Sequence, residues 1–528
     1  GGGGAGGSVP APDGSNQIDT TVFQLVLPQG SVRTDDDALG DYPGLVGVPN
    51  LDDDDENGYN DWTDALEGDD DRAPLVITSN NQPVRLTLIG EDVRIWRDEE
   101  IVLADGESDE FVPDADGTIR LAVEFKEHLA EGNLEASTEA EALNLSLTAA
   151  PLIVNHHLMT AQTLWAMPDS YWGVDNYAMM DTFGEVLGDR FVEVSADTFD
   201  FDVWLQDEFE FANSWGPENQ LEVVIDSIRD RGLDPMPEDL LVQPGTMART
   251  WGLGEANTYD SFGNLEASPP VTVDGVDYPF GRIYYGDGGS LGAPVATLLN
   301  FLDDQTVQAP VALDTSWLCV GHVDEFMTFI PDPAAPKGFR MVFTSIDDAY
   351  TILDEMDGQL LLPRYQGPES HGIQNITALR DDAGLRMYNE DLQRDVLDPL
   401  RHNLKDAFGL SEEDIIDIPG LFEEVPRCGA LSLIPGMVNL TVFNGDDGVD
   451  HLFLPDPFLR ADLDDQDADP MINAVRDRMP ETSLLTFVDN WDIYHLGWGE
   501  VHCGTNVRRT PAVGGWSGPT PLLSGGER

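Results

Sequence analysis

The stretch Ala142-Leu-Asn-Leu-Ser-Leu147, followed by Ala150-Pro151, separates two kinds of sequence in this chain of 528 residues. Its apolar residues occupy alternate positions, which is typical of a β-strand with one buried face. Similar segments lie upstream at 22–27, 83–89 and 119–125. Strands spaced by polar turns predict a small β-sandwich over residues 21–149, preceded by a Gly-rich linker over residues 1–20.

Beyond residue 150, strand-like and helix-like segments alternate, which predicts an α/β region over residues 150–528. The strand-like runs lie at 223–225, 339–343 and 437–443. Apolar residues four apart predict a helix, and Pro399 should kink or divide it. These are Tyr388, Leu392, Val396, Leu400, Leu404 and Phe408. The predicted fold class is therefore α+β multidomain.

The charge of the chain is extreme, because 27 basic and 99 acidic residues give a net charge of −72. Such a chain repels itself at low ionic strength, and molar salt screens the repulsion by shortening the Debye length to about 3 Å. We therefore predict a protein of a salt-loving organism. The negative charge argues against nucleic acid as a partner. No apolar run approaches the roughly 18 residues of a membrane span.

The chain has three cysteines, Cys319, Cys428 and Cys503, and this odd, sparse set is a poor basis for a disulfide framework. It starts with Gly-Gly-Gly-Gly-Ala-Gly-Gly-Ser, a flexible tether. This start favours an exported protein that is secreted or tethered to the cell surface. The other explanation of the Gly-rich start is a scar left by a fusion. The alternative location is the cytoplasm of a salt-accumulating organism.

An acidic loop in the first region has the spacing of a calcium-binding loop. In the first register, Asp53, Asp55 and Asn57 place side-chain oxygens at alternate positions before Gly58. Asp64 supplies a carboxylate at the twelfth position of the loop, counted from Asp53. A second register, which starts at Asn50 and continues with Asp52 and Asp54, stays open. The candidate ligands of the two registers are Asn50, Asp52, Asp53, Asp54, Asp55, Asn57, Asp61 and Asp64, with 69–71 as a further source. The competing interpretation is an ordinary acidic surface loop; the Asn-Gly placement favours calcium.

The segment Gly499-Glu-Val-His-Cys-Gly-Thr-Asn506 places Cys503 in a polar, Gly-rich turn, unlike the apolar setting of most structural cysteines. Upstream, residues 204–210 and 320–326 supply Asp207, His322 and Asp324. Two carboxylates can hold a guanidinium group while a thiolate attacks its carbon and an imidazole moves protons. The set therefore indicates chemistry on a guanidinium.

Each of these residues also has an ordinary structural interpretation. His322 taken alone is more readily a hydrogen-bonded histidine in a strand, and Asp207 with Glu208 a solvated face. His502, next to Cys503, receives no role, because adjacent residues in a strand point to opposite faces.

These segments resemble the catalytic domain of the protein-arginine deiminases, calcium-dependent enzymes that convert peptidyl-arginine to citrulline. The resemblance is firm over about residues 200–510, and it rests on several segments in combination. They are 204–210, 226–232, 260–273, 320–326, 414–419, 437–439 and 499–509. It implies a five-bladed α/β propeller over residues 150–528. More loosely, it implies an immunoglobulin-like calcium-binding domain over residues 21–149.

The resemblance also implies the role of each site residue. Cys503 is the nucleophile, His322 the general acid and base, and Asp207 and Asp324 hold the guanidinium. The implied substrate contacts are Trp204, Arg229 and Arg231. One calcium ion would use Gln206, Glu210, Glu266 and the carbonyls of Phe262 and Leu265. A second would use Glu208, Asp226, Ser227 and Asp230. Gly497 stands where some members place a substrate-contacting arginine, which leaves the sequence preference open.

The leading function is calcium-dependent hydrolysis of peptidyl-arginine to peptidyl-citrulline and ammonia, through an amidino-thioether on Cys503. One alternative is a related hydrolase or amidinotransferase that acts on free arginine or agmatine. Another is a catalytically dead, calcium-dependent binding protein. The expected partners are arginine-containing proteins or peptides and several calcium ions, with a homodimer as the candidate assembly.

The net charge generates the first prediction. We expect the thermal unfolding midpoint to rise steeply between low salt and molar salt, because screening removes the repulsion among the carboxylates. Circular dichroism across a sodium chloride series measures this dependence. A midpoint that does not change with salt concentration would contradict it.

Overall fold

The computed structural model describes residues 15–19, 23–28, 44–54, 60–64, 71–79, 81–98, 100–216, 219–252, 255–367, 372–445 and 448–510. Within these ranges, no helix is both long enough and apolar enough to cross a membrane. The predicted calcium ligands Asp55 and Asn57 lie outside the described residues, as does Asp69.

Two sheets form the N-terminal region, and nearly all their neighbouring strands are antiparallel. The six-stranded sheet has the order Ser15–Asp19, Phe23–Pro28, Ala73–Ser79, Thr118–Phe125, Val93–Arg97, Glu100–Leu103. The five-stranded sheet has the order Gly44–Gly47, Ala142–Ala149, Glu131–Ser137, Val84–Ile89, Ser108–Phe111. Its first two strands are parallel.

Both sheets contribute to one hydrophobic core. Leu75 of one sheet and Leu86 of the other are fully buried, and the residues beside them in the strand are more exposed. This alternation matches the pattern in the sequence. The immunoglobulin-like arrangement of these strands stays a prediction. The strand Ser15–Asp19 lies inside the linker predicted over residues 1–20 and shortens it.

The C-terminal region contains five small sheets with one shared pairing pattern. In each, a middle strand is antiparallel to a first strand, which we call the leading strand, and parallel to a third. In that strand order, the first sheet is Phe209–Trp215, Gln220–Asp226 and Thr246–Thr250, and the second is Leu265–Ala267, Ile283–Asp287 and Val311–Asp314. The third is Met327–Pro331, Phe339–Ser345 and Ile415–Pro419, and the fourth is Thr441–Asn444, Asp450–Pro455 and Ser483–Val488. The fifth is Thr505–Thr510, Thr160–Ala166 and Phe191–Glu193.

The fifth sheet joins the two ends of the C-terminal region, because Thr160–Ala166 pairs with Thr505–Thr510. Ile153–Val154 adds a fourth strand to the first small sheet. The remaining strands form two-stranded pairs. These are Ser170–Tyr171 with Val174–Asp175, Val271–Val273 with Val276–Tyr278, and Phe422–Val425 with Gly429–Ser432. The closed propeller implied by the resemblance stays a prediction.

The helix predicted from residues 388–408 is confirmed, and it is divided near Pro399. It consists of Ala383–Leu392, a π-helical segment Gln393–Leu397, and Asp398–Phe408. A proline lacks a backbone N–H and crowds the preceding turn, and the wider π turn accommodates it. The other α-helices are Asp61–Asp64, Tyr177–Leu187, Leu205–Glu208, Ala296–Asp304, Ile346–Glu355, Ile376–Arg380 and Pro470–Arg478, and Pro237–Leu241 is a second π-helix.

The acidic loop lies where the two regions meet. The backbone N–H of Gly245, in the C-terminal region, donates to Asp52 Oδ2 at 2.8 Å and to Asp54 Oδ1 at 3.1 Å. Val46 and Val48, which flank the loop on its N-terminal side, belong to a core cluster made mostly of C-terminal residues. The loop is therefore attached to both regions.

The expectation of no disulfide framework is wrong for one pair, because Cys319 and Cys428 are bonded, with their Cα atoms 4.7 Å apart. They are 109 residues apart in sequence, so only the fold brings them together. Cys319 lies three residues before His322. Of the cysteines, Cys503 is the free one, and it is buried.

The disulfide generates the second prediction. Replacing Cys428 with Ser should lower the free energy of unfolding by about 2–4 kcal/mol, because the unfolded chain loses a long closed loop. Denaturant unfolding in molar salt, followed by tryptophan fluorescence, measures the loss. Cys503→Ser is the matched control and should leave the midpoint nearly unchanged. Equal midpoints for the two variants would contradict the prediction.

Candidate active site

The turns that precede the five leading strands carry the site. One residue from each turn takes part: Asp207, Gly263, Asp324, Asn439 and Cys503. Leading strands hold equivalent places in their sheets, so equivalent turns can meet at one place. The contacts among these residues, given below, are direct.

The thiol of Cys503 lies among polar groups, although its residue is only 6% exposed. Its Sγ is 3.4 Å from Asp324 Oδ2. The Asn439 Nδ2 group donates to Sγ at 3.2 Å. Asn439 Oδ1 accepts from the backbone N–H groups of His502, at 2.9 Å, and Cys503, at 3.3 Å. Asn439 thus holds both the turn and the thiol.

We had assigned no role to Asn439 from the sequence, although it lies in one of the segments that carry the resemblance. Its position just before the leading strand Thr441–Asn444 corresponds to that of Cys503 before Thr505–Thr510. That correspondence requires knowledge of the sheets, which local sequence does not supply.

The surroundings of Cys503 disfavour a thiolate. Burial raises the pKa of the Cys503 thiol well above its usual value, and the negative charges of Asp324 and Asp207 raise it further. The thiol therefore keeps its proton unless a positive charge enters between the two carboxylates.

His322 is oriented by its own hydrogen bonds. Its Nε2 lies 2.8 Å from the carbonyl oxygen of Thr258, which can only accept, so Nε2 carries the proton in the neutral ring. Its Nδ1 lies 3.6 Å from Asp207 Oδ1 and is free to take and release a proton. The Glu325 carboxylate accepts from the backbone N–H of His322 at 2.8 Å and fixes the segment.

Gly263 lies between two of the predicted catalytic residues. A Cβ atom there would be 3.0 Å from Asp324 Oδ2 and 3.1 Å from His322 Nδ1. The missing side chain therefore leaves the carboxylate and the imidazole facing a common space. The structure thus brings the four predicted catalytic residues together in two contacting pairs, Cys503 with Asp324 and His322 with Asp207.

The expectation that His502 points away from the site is wrong. Residues 501–504 form a turn, so the alternation of a strand does not apply. His502 Nδ1 lies 3.0 Å from Asp324 Oδ2, the same oxygen that contacts Cys503. His502 and Cys503 therefore face one carboxylate.

The predicted substrate-binding arginines both contact Asp207. The Nη1 atoms of Arg229 and Arg231 lie 3.4 and 3.3 Å from Asp207 Oδ2. Arg231 also makes two hydrogen bonds to Asp202, at 2.8 and 2.6 Å. Asp207 thus holds guanidinium groups of its own chain in this structure.

Trp204 packs against a glycine-lined wall. A Cβ atom at Gly497 would lie 3.0 Å from the Trp204 ring, and one at Gly499 would lie 2.3 Å from it. A side chain at either position would displace the indole. A pocket lined in part by Cys503 and Asn439 adjoins this wall.

Most of the ligands predicted for the first calcium ion lie close together. Gln206 Nε2 donates to Glu210 Oε2 at 2.7 Å and contacts the Phe262 carbonyl at 3.5 Å. Burial raises the pKa of Glu210 well above its usual value, and the charge of Glu266 adds to this effect. Leu265 begins the strand that contains Glu266. The set is mainly oxygen atoms, which calcium prefers.

The second predicted set contains buried carboxylates without hydrogen bonds. Glu208 is 0% exposed, and neither of its side-chain oxygens, nor Asp226 Oδ1, has a hydrogen-bond partner among the described residues. Burial raises the pKa of Glu208 to about 9 and that of Asp226 to about 7. Unsatisfied buried oxygens of this kind fit a hard cation. Ser227 is adjacent to them, and Asp230 is exposed.

In the N-terminal region, the structure groups Asp52, Asp54 and Asp61 so closely that each could give a ligand atom to one ion. Asp52 and Asp54 come from the second of the two registers left open by the sequence. Asn50, the first residue of that register, donates instead to Glu124 at 2.5 Å. Asp53 is not a member of this group, and the side chain of Asp64 lies outside the described part of the structure.

Asn439 generates the third prediction. Replacing Asn439 with Ala removes a donor to Sγ, so the thiolate loses stabilisation and the pKa of Cys503 should rise by about one unit. The pH dependence of iodoacetamide alkylation should shift upward accordingly. Asn473→Ala, on the exposed part of helix Pro470–Arg478, is the matched control. An unshifted profile for Asn439→Ala would contradict the prediction.

Comparisons with known proteins identify the family of the chain. The family model described as protein-arginine deiminase (PAD) matches residues 143–517. The chain is 39% identical over 339 residues to protein-arginine deiminase type-4 of Homo sapiens. It is 37% identical over 335 residues to the human type-1 protein, and 38% over 340 residues to the human type-3 protein.

Each of these alignments covers 61% of this chain and 48% of the relative. The chain therefore spans about half the length of the curated relatives it matches. The family model covers more than half of the chain, including the five leading strands and the turns before them. The chain belongs to the protein-arginine deiminase family.

Proposed function

We propose that this protein is a calcium-dependent enzyme that hydrolyses peptidyl-arginine to peptidyl-citrulline and ammonia. The observation that carries the proposal is the convergence of a thiol, an imidazole and two carboxylates from three separate segments of the C-terminal region. These groups have the chemistry that a guanidinium substrate requires, and the family membership supports the same activity.

The substrate guanidinium binds between Asp207 and Asp324, replacing the contacts that Arg229 and Arg231 make to Asp207. Paired hydrogen bonds from its nitrogens to the carboxylates fix its plane. Its positive charge also offsets the two negative charges that raise the pKa of Cys503. Substrate binding therefore promotes formation of the thiolate beside the carbon that it attacks.

In the first half of the reaction, the Cys503 thiol passes its proton to His322 Nδ1, which is unprotonated in the resting ring, and Sγ bonds to the guanidinium carbon. His322 Nδ1, which faces Asp207 and the space beside Gly263, delivers a proton to the departing nitrogen. The carbon–nitrogen bond breaks and ammonia leaves. An amidino-thioether on Cys503 remains.

In the second half, His322 Nδ1 takes a proton from water, whose oxygen bonds to the same carbon. The carbon–sulfur bond breaks, the thiolate returns, and citrulline is released. Asn439 donates to Sγ in the resting structure, and the same donor stabilises the sulfur when it leaves.

Calcium would be held by the two catalytic-region sets and by the Asp52, Asp54 and Asp61 group. It supplies positive charge that neutralises the buried carboxylates and fixes their backbone. Because Glu208 and Glu210 follow Asp207 on one short segment, the order of this segment decides whether Asp207 points into the site. The buried, unpaired oxygens of Glu208 support this role.

Arg229 and Arg231 lie beside the proposed guanidinium site, where they could contact a peptide backbone. That placement favours peptidyl-arginine over free arginine or agmatine. The rival binding-protein function is disfavoured because a protein without catalysis has no need to hold the thiol, the imidazole and both carboxylates together.

We further propose that the five matching sheets are the blades of a propeller, which the pairing of Thr160–Ala166 with Thr505–Thr510 supports. An immunoglobulin-like N-terminal domain and an origin in a salt-loving organism belong to the same proposal. The two packed sheets support the former, and the net charge of −72 supports the latter.

The proposed function generates the fourth prediction. In molar salt, the full chain should release citrulline from an arginine blocked at both its amino and carboxyl groups. Free arginine should be a much poorer substrate. Chelation should lower the rate by about 100-fold or more, because a displacement of about 1 Å in a catalytic group already costs that factor. Added calcium should restore the rate.

Colorimetric measurement of citrulline checks each condition. Cys503→Ser should reduce the rate to background, and Ser432→Ala, another residue lining the same pocket, is the matched control. Citrulline formation by Cys503→Ser would overturn the covalent mechanism. Full activity in excess chelator would overturn the role of calcium, and a preference for free arginine would overturn the peptidyl substrate.

A further inference from the structure

We propose that His157, His502 and Glu266 form a separate binding site for a transition-metal dication such as Zn²⁺. The three residues are buried, and each can give one ligand atom to a common ion. The site shares Glu266 with the calcium ligands of the proposed function, and in that respect the inference rests on the proposed function. The two histidines distinguish it, because imidazole suits zinc and cobalt whereas calcium takes oxygen ligands.

The spacing of the donor atoms brings each histidine nitrogen within coordinating reach of a Glu266 oxygen. His157 Nε2 is 3.2 Å from Glu266 Oε2, and His502 Nε2 is 3.4 Å from Glu266 Oε1. Two ligands of a tetrahedral zinc ion with bonds near 2.1 Å lie about 3.4 Å apart. Glu266 is 3% exposed, and its Oε1 has no hydrogen-bond partner among the described residues. This unsatisfied buried oxygen points to a missing ligand.

The outer nitrogens of both histidines are already engaged. His157 Nδ1 lies 3.0 Å from Thr328 Oγ1, and His502 Nδ1 lies 3.0 Å from Asp324 Oδ2. A histidine that donates from one nitrogen to a carboxylate presents the other to a metal, with its ring fixed in direction. His502 therefore has the arrangement of a metal ligand supported by a second carboxylate.

The site also has room for a fourth ligand. A polar pocket of about 20 Å³, enough for one water molecule, is lined by His157 and His502, together with Gln206, Glu210 and Asn506. Three protein ligands and a water molecule complete a tetrahedral zinc site. The buried guanidinium of Arg509 lines the same pocket and offsets the charge of the neighbouring glutamates.

Occupation of this site would oppose catalysis. The ion would take Glu266 from the predicted calcium set. We therefore expect Zn²⁺ to inhibit the enzyme in competition with calcium.

Cobalt is the probe, because tetrahedral Co²⁺ absorbs visible light far more strongly than Co²⁺ held octahedrally by surface carboxylates. The full chain carries Cys503→Ser, so that no free thiol can ligate cobalt. Stoichiometric Co²⁺ in molar salt should produce the intense tetrahedral bands. His157→Ala in the same background should weaken cobalt affinity by about 100-fold or more, since even outer partners of metal ligands contribute 10–100-fold.

His402→Ala removes an exposed histidine and is the matched control, which should keep the bands. Circular dichroism verifies that each variant is folded. Absence of tetrahedral bands in the parent, or their persistence in folded His157→Ala, would overturn the site. The spectrum needs no catalysis, so bands in a protein that forms no citrulline would leave the site standing and remove only the proposed function.

A second arm uses the chain with Cys503 intact. Zn²⁺ should lower citrulline formation, higher calcium should reverse the inhibition, and His157→Ala should be at least about tenfold less sensitive to Zn²⁺. Equal sensitivity of His157→Ala and the parent would overturn the inhibitory role of the site.

Discussion

Antiparallel pairing of Thr160–Ala166 with Thr505–Thr510 joins the two ends of the C-terminal region in one sheet. This pairing fixes the position of the last leading strand, and Cys503 lies in the turn just before it. The other four leading strands hold their turns in the same way, so that carboxylates, imidazole and amide meet around the thiol. The geometry of the site therefore depends on backbone hydrogen bonds that lie outside it.

Charge is the second constraint on the site. Glu208, Glu210, Asp226 and Glu266 are all buried, and few cationic groups accompany them. Burial favours the protonated form of such carboxyl groups, and those that do ionise repel one another. The raised pKa values of Glu208 and Asp226 reflect both effects. Arg509 offsets part of this charge, and the remainder supports the proposal that dications complete the site.

The sequence was sufficient to predict which groups take part, and less informative about how they are arranged. Cys503, His322, Asp207 and Asp324 could be named because each stands in a polar segment with residues suited to guanidinium chemistry. The five sheets could not be predicted by periodicity. Phe209–Trp215, for example, is buried at all seven positions, and a strand covered on both faces shows no alternation. Asn439, His502 and the Cys319–Cys428 bond were missed because each depends on contacts between residues distant in sequence.

The fifth sheet can form only late in synthesis, because its strands come from the two ends of the C-terminal region. During synthesis, Thr160–Ala166 emerges early, and the antiparallel partner of this strand, Thr505–Thr510, is made long afterwards. Cys503 is made only two residues before that partner. A ribosome-bound chain can therefore fold much of its interior before Cys503 is made, and the proposed site is complete only when the last sheet has formed.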